Sequence, residues 1–250
     1  MKIAKYVLVA VFGAGCLYAG SAFAGHDGAH WGYIGHEGPE FWGDLAAKYA
    51  ACKSGQSQSP INITGAVEAD LPAIKFDYKD SGLSIINNGH TVQVSYDEGS
   101  SVTVDGHAYK LVQFHFHTPS ENQIESNAFP MEAHFVHVDA DGKLAVIGVM
   151  LQTGAENAKL ANIWQAMPKE EGRTAKPAGS VNALDLMPAK KDYYRFDGSL
   201  TTPPCSEGVV WMVMKDPITI SEAQARKFAQ LFPHNNARPV QKLNGRTIKQ

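Results

Sequence analysis

From Gln113 to His117 polar and aromatic residues alternate without a break (Gln113, Phe114, His115, Phe116, His117), a pattern that only an extended strand sorts onto two faces. One face is oily and the other carries two imidazoles. Spaced about 7 Å apart along the strand, their ring nitrogens can converge on a single ion about 2 Å away. The run 132–138 repeats the arrangement, with Glu132, His134 and Val136 on one face and Ala133, Phe135 and His137 on the other. If the two segments are neighbouring strands, His115, His117 and His134 cap one side of a metal and leave the fourth tetrahedral position to water, as in catalytic rather than structural zinc sites. No cysteine joins them. Gln113 and Glu132 each lie two residues before a histidine on its own face, placed to accept an imidazole N–H and fix the ring. Any one of these histidines alone reads equally well as a packed or surface residue; the set points to a metal.

Short alternating or apolar runs recur at 83–86, 91–96, 101–104, 109–117, 132–138, 144–151, 193–196 and 209–214, and read as strands. Asn88-Gly89, Glu98-Gly99, Asp105-Gly106 and Asp141-Gly142 fall between them as turns, the spacing of an antiparallel meander. Helices are few, with 156–167 and 221–232 the best candidates, the second opened by Ser221 as N-cap and stopped by Pro233. Nothing reads as a linker or a repeat. The class is mainly β (α+β), a single domain with peripheral helices.

Residues 1–24 stand apart: Lys2 and Lys5 precede an apolar run over 6–18 and then Ala22-Phe23-Ala24, the pattern of a cleaved secretory signal. The domain would then occupy 25–250, in the periplasm or outside the cell. Cys16 raises the alternative of a lipoprotein signal, although Gly13 stands where such signals carry an aliphatic residue. No later stretch approaches the roughly 20 apolar residues of a spanning helix. Two cysteines remain, Cys52 and Cys205, and in an oxidising compartment they read as one disulfide. With 22 basic and 25 acidic residues, a formal charge of −3 provides no footprint for nucleic acid or anionic lipid.

With these residues in view, the chain resembles the α-class carbonic anhydrases, in particular their secreted bacterial branch. The resemblance runs over 30–246 and rests on HWGY at 30–33, QSQSPINI at 56–63, NNGH at 87–90, QFHFHTPSE at 113–121, EAH at 132–134, GSLTTPP at 198–204 and RPVQ at 238–241. It implies a large twisted, mostly antiparallel sheet with zinc in a conical cleft, and reversible hydration of carbon dioxide to bicarbonate and a proton. By the same resemblance His115, His117 and His134 are the zinc ligands, and Thr201 with Glu121 orients the hydroxide on the metal. Val136, Val146, Leu200 and Trp211, with Thr202 nearby, form the wall against which carbon dioxide rests. His90 is the proton shuttle, served by waters on Tyr33, Asn88 and Gln93. Anions and sulfonamides are the implied inhibitors, and a homodimer is an implied option because bacterial relatives often dimerise.

The segment between His117 and Glu121 is six residues shorter than in animal members, and Thr118 stands in place of a common tryptophan. Gln93 occupies a position where many members have Asn. A non-catalytic binding module on the same scaffold is the competing reading, and the three intact histidines speak against it. A periplasmic zinc store would be expected to bind several ions through loosely spaced histidines. His26, His30 and His36 offer a further metal site near the mature N-terminus, although as solvated surface residues they need no ligand.

Overall fold

Strict alternation begins only at Gln113 because a β-bulge interrupts the strand just before it. In a computed structural model, which describes residues 29–250, Leu111 lies opposite His137 while Gln113 lies opposite Val136, so Val112 is the extra residue. Leu111 therefore joins the same apolar face as Phe114, and Gln113 starts the opposite face. The leader, Cys16 and His26 lie outside the described residues.

Besides two small two-stranded sheets (Asn62–Ile63 with Gln123–Ile124, and Ser81–Gly82 with Ser180–Val181), eleven strands form one large sheet: β1 (Lys75–Asp77), β2 (Ser84–Asn87), β3 (Val92–Ser95), β4 (Ser101–Val104), β5 (His107–His117), β6 (Met131–Val138), β7 (Leu144–Thr153), β8 (Thr174–Ala175), β9 (Tyr193–Ser199), β10 (Glu207–Met214) and β11 (Ile218–Ile220). Its main path runs β8-β2-β3-β5-β6-β7-β10-β9, with β4 joining β1 to β5 and β11 beside β7. Pairing is antiparallel except where β7 meets β10 and β11. All eight expected strand runs are present. Four extend by two or more residues beyond the apolar signal: β5 back to His107, β7 to Thr153, β9 to Ser199 and β10 back to Glu207. Asp105 and Gly106, at φ 52° and 77°, form the two-residue turn joining β4 to β5.

Parity sorts the core in two. Phe114, Phe116, Phe135, Ile147, Val149 and Met212 belong to the larger cluster, which the helices cover. Trp164 of α1 (Ala161–Ala166) and Phe228 of α2 (Glu222–Ala229) pack edge-on against Phe116 at ring distances of 4.9 and 6.0 Å. Val146, Met150, Phe196, Trp211 and Val213, alternate residues of the same strands, form a second cluster on the other face.

Both expected helices are shorter than their patterns. The first opens as a 3₁₀ turn over Ala158–Leu160, because the Asn157 side chain accepts from Lys159 N and so becomes the cap. Ser221 caps α2 as expected, in a reciprocal box with Gln224, but the helix ends at Ala229 rather than at 232. Pro233 disfavours helical backbone before it, and Phe232 is buried instead as a turn residue. Cys52 and Cys205 are joined, 153 residues apart in sequence. Among the described residues no helix is long and apolar enough to cross a membrane.

Candidate metal centre

Strand register, more than loop geometry, assembles the site. One row across the sheet reads Gln93, His115, His134, Gly148 and Val213; the next reads Gln113, Val136, Val146, Trp211 and Phe196; a third pairs His117 with Glu132. All project from the face opposite the helices. The rings of His115, His117 and His134 lie 4.6–5.4 Å apart, and one nitrogen from each falls within 4.8 Å of the others. Among the described residues this is the only cluster of three or more metal-binding side chains, and His30 and His36 enter no such group.

Two of the three rings have their outer nitrogen hydrogen-bonded, and the third has it beside a carboxylate. His115 Nδ1 donates to Gln113 Oε1 at 2.8 Å, and His117 Nδ1 donates to the Asn236 carbonyl at 2.7 Å. His134 turns Nε2 to Glu132 Oε1 at 3.1 Å. The inner nitrogens, Nε2 of His115 and His117 and Nδ1 of His134, remain for the centre, and His117 Nε2 is buried with no hydrogen-bond partner. Burial lowers the pKa of all three imidazoles, and their mutual repulsion adds to this for His115 and His134. They are neutral lone-pair donors at ordinary pH. Three such donors, one of them half-exposed, fit a borderline cation with one coordination position left to solvent.

Two buried carboxylates support the triad. Glu132 Oε2 accepts from the Glu121 and Asn122 amides at 2.9 and 2.8 Å, and its Oε1 accepts from Asn122 Nδ2 at 2.8 Å. Burial pushes this carboxyl up to about 7 despite those donors. Gly148 makes room for it, since a Cβ there would stand 2.8 Å from Glu132 Oε1. Glu121 Oε1 accepts from the Arg238 amide at 2.8 Å, and its Oε2 lies 3.4 Å from His117 Nε2. Burial pushes Glu121 up to about 8, while the Arg238 amide and the Thr201 side chain draw it part of the way back.

Thr201 is held by the strand end before it. Ser199 exchanges hydrogen bonds with Ser59, and its carbonyl accepts from Trp211 Nε1 at 3.0 Å. Gly198 permits this approach, because a Cβ would meet Ser59 Oγ. Val136, Val146, Leu200 and Trp211 all belong to the smaller apolar cluster, with Trp211 edge-on to His134 at 4.9 Å. Thr202 is half-buried, and its carbonyl accepts from Cys205 N.

His90 departs from the picture of an exposed loop histidine. It is half-buried and stacked on Trp31, with ring centres 3.7 Å apart and planes 8° apart. Burial brings it down to about 4, against a raising influence from Glu171. Asn88 Oδ1 is occupied by the His90 and Thr91 amides, so only its Nδ2 is free to face solvent. Gln93 shares the face of His115, and the Tyr33 hydroxyl is buried without a protein partner.

Asn236 and Arg238 were not assigned roles from sequence, although RPVQ at 238–241 marked the region. The Asn236 side chain binds Thr118 N and the carbonyls of His90 and Phe116. The Arg238 guanidinium binds Gln58 and the carbonyls of Ser59 and Cys52. Such partners, more than 100 residues away along the chain, leave no local signal.

A family model described as eukaryotic-type carbonic anhydrase matches residues 37–250. A carbonic anhydrase of Neisseria gonorrhoeae is 49% identical over 229 residues, covering 91% of this chain and 90% of that relative. One from Pectobacterium carotovorum is 45% identical over 222 residues, covering 89% and 91%. The alpha-carbonic anhydrase of Thermovibrio ammonificans, solved with the inhibitor sulfanilamide, superposes with a TM-score of 0.88 at 45% identity, over 89% of this chain and 100% of that one.

Proposed function

Because the chain belongs to the eukaryotic-type carbonic anhydrase family, an enzyme family that interconverts carbon dioxide with bicarbonate and a proton, we propose that the buried histidine triad is the centre where it does so. The observation that carries this reading is the convergence of three neutral imidazoles, one nitrogen of each within 4.8 Å of the others, with the opposite nitrogens set against Gln113, the Asn236 carbonyl and Glu132. His115 and His117 through Nε2, and His134 through Nδ1, would hold zinc. When bound, zinc acts as a Lewis acid that brings the pKa of water near 7 and so supplies a nucleophile at neutral pH.

The chain's own groups do the rest. Glu121 Oε1 is taken by the Arg238 amide, which leaves the other oxygen for the Thr201 hydroxyl. The metal's positive charge would favour the ionised form of Glu121, and a hydroxyl that donates to that carboxylate can only accept from the nucleophile, which turns the nucleophile's lone pair toward the substrate. Val136, Val146, Leu200 and Trp211 provide an apolar wall that suits a neutral linear molecule, with Thr202 at its edge. Waters on Tyr33, Asn88 and Gln93 carry the proton outward to His90. Small anions and deprotonated sulfonamides compete at the open position, in line with the sulfanilamide complex of the Thermovibrio relative. Export behind the 1–24 leader fits the Cys52–Cys205 disulfide, which persists in an oxidising compartment.

The test is stopped-flow hydration of carbon dioxide on protein 25–250, with zinc content measured alongside. Wild type should hold one zinc and turn over, and His115→Ala should lose both. Undiminished turnover in His115→Ala would overturn the assignment.

A further inference from the structure

We propose that His234 is a second proton-accepting group at the mouth of the cleft, working beside His90. The inference rests on the proposed function of the triad. His234 follows α2 and precedes by two residues Asn236, whose carbonyl fixes His117, so its backbone is tied to the metal centre. Its ring is half-buried and lies 6.1 Å from the Tyr33 ring, which in turn lies 6.4 Å from His90. The two imidazoles thus flank one tyrosine, whose hydroxyl is buried with no partner in the protein. Buried hydroxyls are almost always paired, so this one marks a place for water on the tyrosine that both rings border.

The tautomer of His234 is set by a single contact. Nδ1 stands 2.9 Å from the Asn235 carbonyl, which can only accept, so Nδ1 carries the hydrogen and Nε2 presents the lone pair. A proton leaving the cleft along water can bond to Nε2, giving an imidazolium with N–H at both nitrogens. That Nε2–H bond then breaks to a buffer base in bulk solution, and the ring returns to its starting tautomer. His90, stacked on Trp31, is poorly placed to stay charged, since burial and the neighbouring His30 and His234 oppose its cation and only Glu171 favours it. A second acceptor has work to do there.

The test compares wild type, His90→Ala, His234→Ala, His234→Gln and the His90→Ala/His234→Ala double variant, all zinc-loaded, by stopped-flow hydration in dilute and concentrated buffer. In dilute buffer each His234 variant should lose about threefold to tenfold in kcat with kcat/KM unchanged, and the double variant should fall below His90→Ala. Added imidazole buffer should restore the loss. A kcat equal to wild type in dilute buffer, a double variant no slower than His90→Ala, or a parallel fall in kcat and kcat/KM would overturn the proposal. Nitrogen-15 spectra of histidine-labelled, zinc-free protein supply a readout independent of turnover: His234 should be Nδ1-protonated when neutral, and the opposite tautomer would overturn the proposal. Zinc-loaded wild type that fails to hydrate carbon dioxide in any buffer would overturn the reading of the triad, and this inference with it.

Discussion

His115 and His134 stand directly opposite each other in the antiparallel pair of β5 and β6, with their rings nearly perpendicular at 5.4 Å. Register alone fixes this distance, because opposed residues of an antiparallel ladder share a face and cannot drift apart without breaking several hydrogen bonds. Each strand is paired on both sides, so the two donors are as rigid as the sheet centre. Slippage by one residue would send one of the rings into the larger core.

Zinc removal gives the most direct check on the centre. Protein stripped by a chelator should lose measurable hydration activity and regain it with one equivalent of zinc. Its unfolding midpoint should rise on reloading, since a ligand that binds only the folded state stabilises it by mass action. Titration with zinc while following both heat-induced unfolding and turnover reads the two together.

Gly148→Ala should weaken metal binding from the far side of Glu132. The added methyl would stand 2.8 Å from Glu132 Oε1 and 3.3 Å from Val213 Cγ2, so the carboxylate facing His134 must move. Loss of such a supporting partner typically costs about 10- to 100-fold in metal affinity. Competition with a chromophoric chelator measures it; an unchanged affinity would mean that Glu132 does not steady His134.

Thr201→Val keeps the shape of the side chain and removes the hydroxyl proposed to orient the nucleophile together with Glu121. Misorienting a nucleophile costs about 100-fold. The fall should appear in kcat/KM for hydration with zinc content intact. Equal activity would detach Thr201 from the reaction.

Reduction, or Cys52→Ser with Cys205→Ser, should destabilise the fold. The bridge closes a loop across 153 positions of sequence, for which loop-entropy arithmetic gives roughly 5 kcal/mol, and removal of native disulfides typically costs about 2–5 kcal/mol. For a chain of this size that corresponds to a melting temperature lower by roughly 5–15 °C. Calorimetry of wild type and the double variant decides it.

Acid should destabilise the protein through a histidine outside the site. His137 lies on the helix-covered face, paired with the Tyr78 hydroxyl at 2.7 Å and the Ala145 carbonyl at 3.3 Å, and burial brings it down to about 4. The unfolded chain binds a proton near 6.5 that the folded chain refuses until about 4, so this group's stability is complete above pH 6.5 and is lost as pH falls to about 4. The loss amounts to about 3 kcal/mol. Urea midpoints at pH 7 and 4.5 should differ less in His137→Gln than in wild type.

Much of the centre was legible because a period of two needs only neighbouring residues. The spacing of Gln113, His115 and His117, and of Glu132 and His134, already placed ligands and their supports on one face of each strand. The placement of Val136 beside His134 followed from the same parity. What escaped was long-range: the stacking of His90 on Trp31 and the carbonyl of Asn236 behind His117 depend on partners that no local pattern announces. The helix at 156–167 was overextended because Asn157 reads as an interior polar residue until its side chain is seen to cap.

Asn236 serves Thr118, His90, Phe116 and His117 at once, from 119 residues beyond His117 along the chain. On a chain made from its N-terminus, the strands that carry the three histidines are synthesised long before the residue that aligns one of their rings. Biogenesis therefore has an order: the His117 ring gains its fixed setting only once the Asn236 segment has docked, and a ribosome-stalled product ending short of that segment would carry three histidines with one of them unaligned.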